Sequence, residues 1–162
     1  HNKGVRFARL LSNGEILSAS YDESIRTWSA KDGTQTFSLD VKNIGTRTIE
    51  NLSNNRILFG SSMGQLHIWD IESKKILFQL KGHKRSIWGI KELKNKDIAT
   101  YSRVQTVRIW SAKDGSLLHT FEGHTSPIQG ITELKDGNIV SYSGNGIVRI
   151  WSIKDGSLLH SQ

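Results

Sequence analysis

The chain has 162 residues, the size of one ordinary domain. It contains no cysteine, which excludes a disulfide framework and a cysteine-based zinc site, and no apolar run approaches the roughly 18 residues of a membrane-crossing helix. Lys and Arg outnumber Asp and Glu by 22 to 15, and the resulting +7 favours acidic partners without forming a block of like charges.

Fifteen glycines against a single proline, Pro127, predict strands and tight turns rather than a linker. The turn segments follow one another at a constant step of 41: 11–16 (LSNGEI), 52–57 (LSNNRI), 93–98 (LKNKDI) and 134–139 (LKDGNI). Trp28, Trp69, Trp110 and Trp151 keep the same step. Lys-Asp-Gly turns begin at Lys31, Lys113 and Lys154, and Glu72-Ser73-Lys74 fills the remaining position. The chain therefore divides into blocks of approximately 1–41, 42–82, 83–123 and 124–162.

Each block reads as four short strands. In the third they are predicted at 86–93, 97–102, 106–111 and 116–122, with turn residues between them at the spacing of an all-β protein. Apolar residues alternate, as in Leu66 and Ile68 or Val107 and Ile109, while residues on the other face are often large too. Strands apolar on both faces need cover on both faces, and radial stacking of four-stranded sheets supplies it.

The tryptophans, together with Gly82-His83 and Gly123-His124, resemble the WD-repeat β-propeller family, and the resemblance covers the whole chain in strict register. The dipeptide after which the repeat is named is complete only at Trp69-Asp70; elsewhere it reads Trp-Ser. The resemblance implies a polar network in each blade: a His, a Ser or Thr of the second strand, an Asp of the next turn, and the Trp. The His positions hold His1, Lys42, His83 and His124; the Asp positions hold Asp22, Met63, Val104 and Asn145. Only the first block offers the whole set, from His1, Ser18 or Ser20, Asp22 and Trp28. In the others His83 with Trp110, and His124 with Trp151, retain parts of it, and packing is expected to dominate. A basic stripe of Arg26, His67, Arg108 and Arg149, two residues before each Trp, reads as structural.

His1, Ser18 and Asp22 have the residue types of a hydrolase triad, but a triad needs an exposed nucleophile and an oxyanion hole. No nucleophile elbow, phosphate-binding loop or dinucleotide fingerprint occurs, the histidines lack metal-ligand spacing, and no paired-carboxylate motif stands out. The expectation is no catalytic residue, no metal and no cofactor.

The resemblance also implies a binding face at the mouth of the central channel. One set of positions there holds Arg6, Arg47, Trp88 and Gln129; a second begins with Tyr21 and includes Arg103. Arginine and aromatic residues suit binding hot spots, and guanidinium groups pair with carboxylates or phosphates. The expected partner is a protein or peptide, acidic or phosphorylated. Against this stands the reading of Trp88 as a core residue and the arginines as solvated.

Four blades leave one apolar face uncovered at each end, which a monomer rarely tolerates. The expected remedy is head-to-tail pairing of two chains, a homodimer closing an eight-bladed ring. The alternatives are a segment cut from a longer propeller, or an engineered or recently amplified repeat without an evolved ligand. Polyanion or nucleic-acid binding is the second function class. The lack of cysteine and of any targeting segment suits a cytoplasmic location, with no membrane partner.

Overall fold

The computed structural model describes residues 1–41 and 46–162; Lys42, with its place among the His positions, lies outside the described residues. The first sheet comprises β1 (Val5–Leu10), β2 (Glu15–Ser20), β3 (Ser24–Ser29) and β4 (Gln35–Asp40). The second comprises β5 (Thr46–Leu52), β6 (Arg56–Ser61), β7 (Leu66–Asp70) and β8 (Lys75–Leu80). The third comprises β9 (Ile87–Glu92), β10 (Ile98–Ser102), β11 (Val107–Trp110) and β12 (Leu117–Phe121). The fourth comprises β13 (Ile128–Glu133), β14 (Ile139–Ser143), β15 (Val148–Trp151) and β16 (Leu158–Ser161). Each sheet is an antiparallel meander whose strands pair in sequence order, so every blade is made of contiguous chain.

The turns that end β2, β6, β10 and β14 share one requirement. Glu23, Gly64, Gln105 and Gly146 stand at the same position of successive repeats, and all have positive φ, between 62° and 84°. At Gly64 a second constraint is added: a Cβ there would collide with the His83 carbonyl of the next blade. Backbone thus meets backbone between blades two and three, and only glycine fits.

Alternation along each strand sends one set of side chains to the preceding blade and the other to the following one. Leu17 and Ile25 pack with Ile57 and Trp69 between blades one and two. Leu58, Leu66 and Ile68 pack with Ile87, Ile98 and Trp110 between blades two and three. Ala99, Val107 and Ile109 pack with Ile128, Ile139 and Trp151 between blades three and four. Among the described residues no such core joins blade four to blade one.

The two outer faces carry the same positions without their cover. Ile87 and Ile98 are fully buried, whereas their equivalents Val5 and Ile16 are 54% and 37% exposed. Leu66 and Val107 are fully buried, whereas Val148 is 41% exposed. The apolar pattern continues into the ends of the series, and only the neighbour is missing there.

Candidate functional site

Each first strand is interrupted once. Val5 and Phe7 pair with the successive residues Ser20 and Ala19, leaving Arg6 without a partner across the ladder. The same bulge leaves out Arg47 between Thr46 and Thr48, Trp88 between Ile87 and Gly89, and Gln129 between Ile128 and Gly130. A bulge inserts one residue, bends the strand and re-aims the inserted side chain. Here it turns one residue per blade out of the sheet at the same end.

Those four side chains line one cavity of about 400 Å³, joined by Tyr101. Each of the four blades contributes, and no carboxylate is among the lining residues. Trp88 is 37% exposed, so it is not sealed in the core. The Arg6 guanidinium donates to the Thr46 carbonyl at 3.0 Å and lies over the Tyr21 ring, 4.7 Å from its centroid. These contacts hold the charge in place at the rim. Arg47 and Gln129 are exposed.

Tyr21 and Arg103 stand apart from this cavity. Tyr21 shares with Arg6, Ser20, Glu23 and Thr46 a smaller recess of about 100 Å³. Arg103 lines a separate depression with Arg85 and Val104. Tyr101, which the sequence reading did not single out, enters the mouth because it lies over Gly89, its cross-strand partner, where a side chain would collide with its ring. The signal was available: a glycine one repeat before Gly130, each opposite a tyrosine, Tyr101 and Tyr142.

The polar networks lie within the blades. In blade one, the Trp28 indole donates to Ser18 Oγ at 2.7 Å, Ser18 meets His1 Nε2 at 2.6 Å, and His1 Nδ1 meets Asp22 at 2.8 Å. The carboxylate accepts a hydrogen bond from Nδ1–H, which leaves Nε2 to accept from the serine. Of the two serines, Ser18 is the member; Ser20 donates instead to the Lys3 carbonyl at 3.1 Å. Burial would push the Asp22 carboxyl up. Hydrogen bonds from the Ser24 hydroxyl and the Asn2 and Ser24 backbone N–H groups outweigh it and hold the group at about 2. Ser18 is buried and committed to this chain, so it offers no exposed nucleophile.

Blades three and four keep more of the network than their missing Asp suggests. Trp110 donates to Thr100 at 2.8 Å, and Thr100 meets His83 Nε2 at 2.8 Å. Trp151 donates to Ser141 at 2.8 Å, and Ser141 meets His124 Nε2 at 2.7 Å. Only the far side of each imidazole differs. His83 Nδ1 has Thr106 at 3.5 Å, and His124 Nδ1 has no partner among the described residues. Asn145 accepts from Ser143 at 2.7 Å rather than serving His124. Burial, helped by the adjacent Arg108, pulls the His83 imidazole down to about 3; burial and Arg149 pull His124 in the same direction. Blade two has no such hydroxyl. There Phe59 holds the hydroxyl position and stacks on His67 with centroids 5.1 Å apart.

The basic stripe is structural in the described residues. Arg108 and Arg149 lie over their own blade tryptophans, with centroid distances of 6.0 and 5.9 Å. No group of three or more His, Asp or Glu side chains is arranged to hold a metal among the described residues. No helix among them is long and apolar enough to cross a membrane.

A family model described as WD domain, G-beta repeat matches residues 115–152. The solved WD40 β-propeller domain of Doa1 superposes with a TM-score of 0.77 at 27% identity, covering 94% of this chain and 52% of that one. The chain matches a WD40 β-propeller domain. The C-terminal WD40 domain of Sif2 superposes with a TM-score of 0.81 at 24% identity, over 100% of this chain and 47% of that one. The computationally designed protein Ika8 gives 0.84 at 24% identity, over 100% and 50%. The chain thus spans about half the length of the solved structures it matches. No curated protein sequence matches it. WD40 domains generally act as non-catalytic scaffolds for protein interaction.

Proposed function

We propose that this WD40 chain is an interaction scaffold that takes an acidic or phosphorylated peptide at the channel mouth, working as a homodimeric eight-bladed ring. The observation that carries the ligand is the cavity built from one bulged residue of every blade, with Arg6 and Arg47 lining it and no carboxylate among its lining residues. Guanidinium groups recognise carboxylate and phosphate through paired hydrogen bonds, and Trp88 adds the aromatic surface common at binding hot spots.

The ring is supported by the two outer faces. They repeat the positions buried at the three internal seams, so blade four of one copy presents to blade one of another what blade three presents to blade four. Two copies also have about the length of the solved propellers to which the chain is similar.

The test is a titration of a fluorescent acidic phosphopeptide library into the chain and into Arg47→Glu. The reading expects at least a tenfold loss of affinity in the variant; unchanged affinity contradicts this site. Equally tight binding of unrelated nucleic acids, with steep salt dependence and little sequence preference, would favour the polyanion class instead.

A further inference from the structure

We infer that a second copy of the chain completes the mouth itself, with Gln129 and Tyr142 of one copy seated on the Val5–Arg6 backbone of the other, so that anion binding and assembly are linked. This rests on the ring reading above and specifies its seam.

The chain draws the missing seam in its own repeats. Between blades one and two, Arg6 donates to the carbonyl of Thr46 at 3.0 Å. Gln129 occupies the Arg6 position in blade four, and Val5 the Thr46 position in blade one. The corresponding bond across two copies runs from the Gln129 side-chain amide to the Val5 carbonyl. Between blades three and four, the Tyr101 hydroxyl donates to the carbonyl of Gln129 at 3.2 Å. Tyr142 repeats Tyr101, and Arg6 repeats Gln129, so the corresponding bond runs from the Tyr142 hydroxyl to the Arg6 carbonyl.

Tyr142 already has the posture that this requires. It lies over Gly130 as Tyr101 lies over Gly89, and a Cβ on either glycine would collide with the tyrosine. Tyr101 is half-buried against blade four, whereas Tyr142 is 43% exposed. Val5, its expected neighbour, is 54% exposed. A tyrosine combines large apolar area with a donor at its tip, which suits a seam whose rim is wet.

The linkage follows from where Arg6 stands. Its backbone belongs to the seam and its guanidinium to the mouth. In one chain the cavity takes a lining residue from every blade, from Arg6 of blade one to Gln129 of blade four. Two-fold pairing places Arg6 and Arg47 of both copies around one axis. Those like charges oppose closure until an anion sits among them. A ligand that binds the ring better than the single chain must strengthen the ring by the same factor.

The probe is sodium tripolyphosphate, with sedimentation equilibrium and calorimetry on the whole chain and on three variants. For the unaltered chain, saturating tripolyphosphate should lower the dimer dissociation constant at least tenfold. Tyr142→Asp should be a folded monomer that binds the probe at least tenfold more weakly, although Arg47 is intact. Arg47→Glu should dimerise without responding to the probe. Tyr142→Phe, which keeps the packing and loses the hydroxyl, should weaken the dimer several-fold and covers the case in which the Asp variant does not fold. An unaltered dimer whose dissociation constant ignores the probe, or a Tyr142→Asp monomer that binds it normally, overturns the linkage and leaves the ring standing. A Tyr142→Phe dimer of unaltered strength overturns the hydroxyl's part in the seam. An unaltered chain that stays monomeric at every concentration overturns the ring reading beneath.

Discussion

The Tyr101 hydroxyl donates to the backbone carbonyl of Gln129 at 3.2 Å, across the seam between blades three and four. The ring of Tyr101 fills the space left by Gly89 on the neighbouring strand. Burial, with Tyr142 nearby, raises its phenol above the ordinary range and keeps it a donor. Tyr101→Phe should keep the packing and cost about 1 kcal/mol, the usual net worth of such a bond. Urea denaturation checks it through a lower midpoint with an unchanged slope.

The hydroxyls of blades three and four each serve two buried groups. Thr100 joins Trp110 and His83, and Ser141 joins Trp151 and His124. Thr100→Val and Ser141→Ala should each destabilise by about 2 kcal/mol or more, because two donors or acceptors lose their partner at once. Thr106→Val, which removes only the 3.5 Å contact to His83, should cost far less. Thermal denaturation of the three variants orders them directly.

That contrast also marks what the sequence makes legible. The 41-residue step and the tryptophans suffice for the blades, because burying both faces of a strand forces a neighbour on either side. The Ser18 position, followed through the repeats, runs Phe59, Thr100, Ser141. Two hydroxyls in three mark the network in blades three and four, although the Asp position there holds Val104 and Asn145. The bulges were not legible. An inserted residue leaves the spacing of tryptophans and turns untouched, and shows only as a change in pairing between Val5 and Phe7 and its repeats. Tyr21 and Arg103 share one repeat position, yet Tyr21 lies beneath the Arg6 guanidinium in the smaller recess while Arg103 lines a separate one with Arg85.

Acid should weaken the fold through the buried imidazoles. His83 is held neutral, at about 3, and His124 is shifted the same way, while both titrate near 6.5 when unfolded. The unfolded chain therefore binds more protons below that value, and stability falls as pH falls. For His83 the loss is about 2 kcal/mol between pH 6.5 and 5. Asp22 acts later: its contribution is present above the ordinary carboxylate range and disappears as pH falls towards about 2. Denaturation midpoints at a series of pH values should drop first through the histidine window, and His83→Gln should flatten that drop.

Gly64 should tolerate no side chain. Its φ is +83°, and the His83 carbonyl stands where a Cβ would go. Gly64→Ala should destabilise by more than about 1 kcal/mol. Gly146→Ala has the same kind of φ, +84°, but Gln105 already carries a side chain at the same position of blade three, so it should cost less. Comparing the two separates backbone strain from the collision between blades.

The central claim is that four blades with two uncovered apolar faces close by pairing. Sedimentation velocity of the 162-residue chain over a hundredfold dilution tests it most directly. The account predicts a compact species of twice the 18.2 kDa chain mass, dissociating only on dilution and losing thermal stability as it does. A folded 18.2 kDa monomer with concentration-independent stability across the whole series would contradict it.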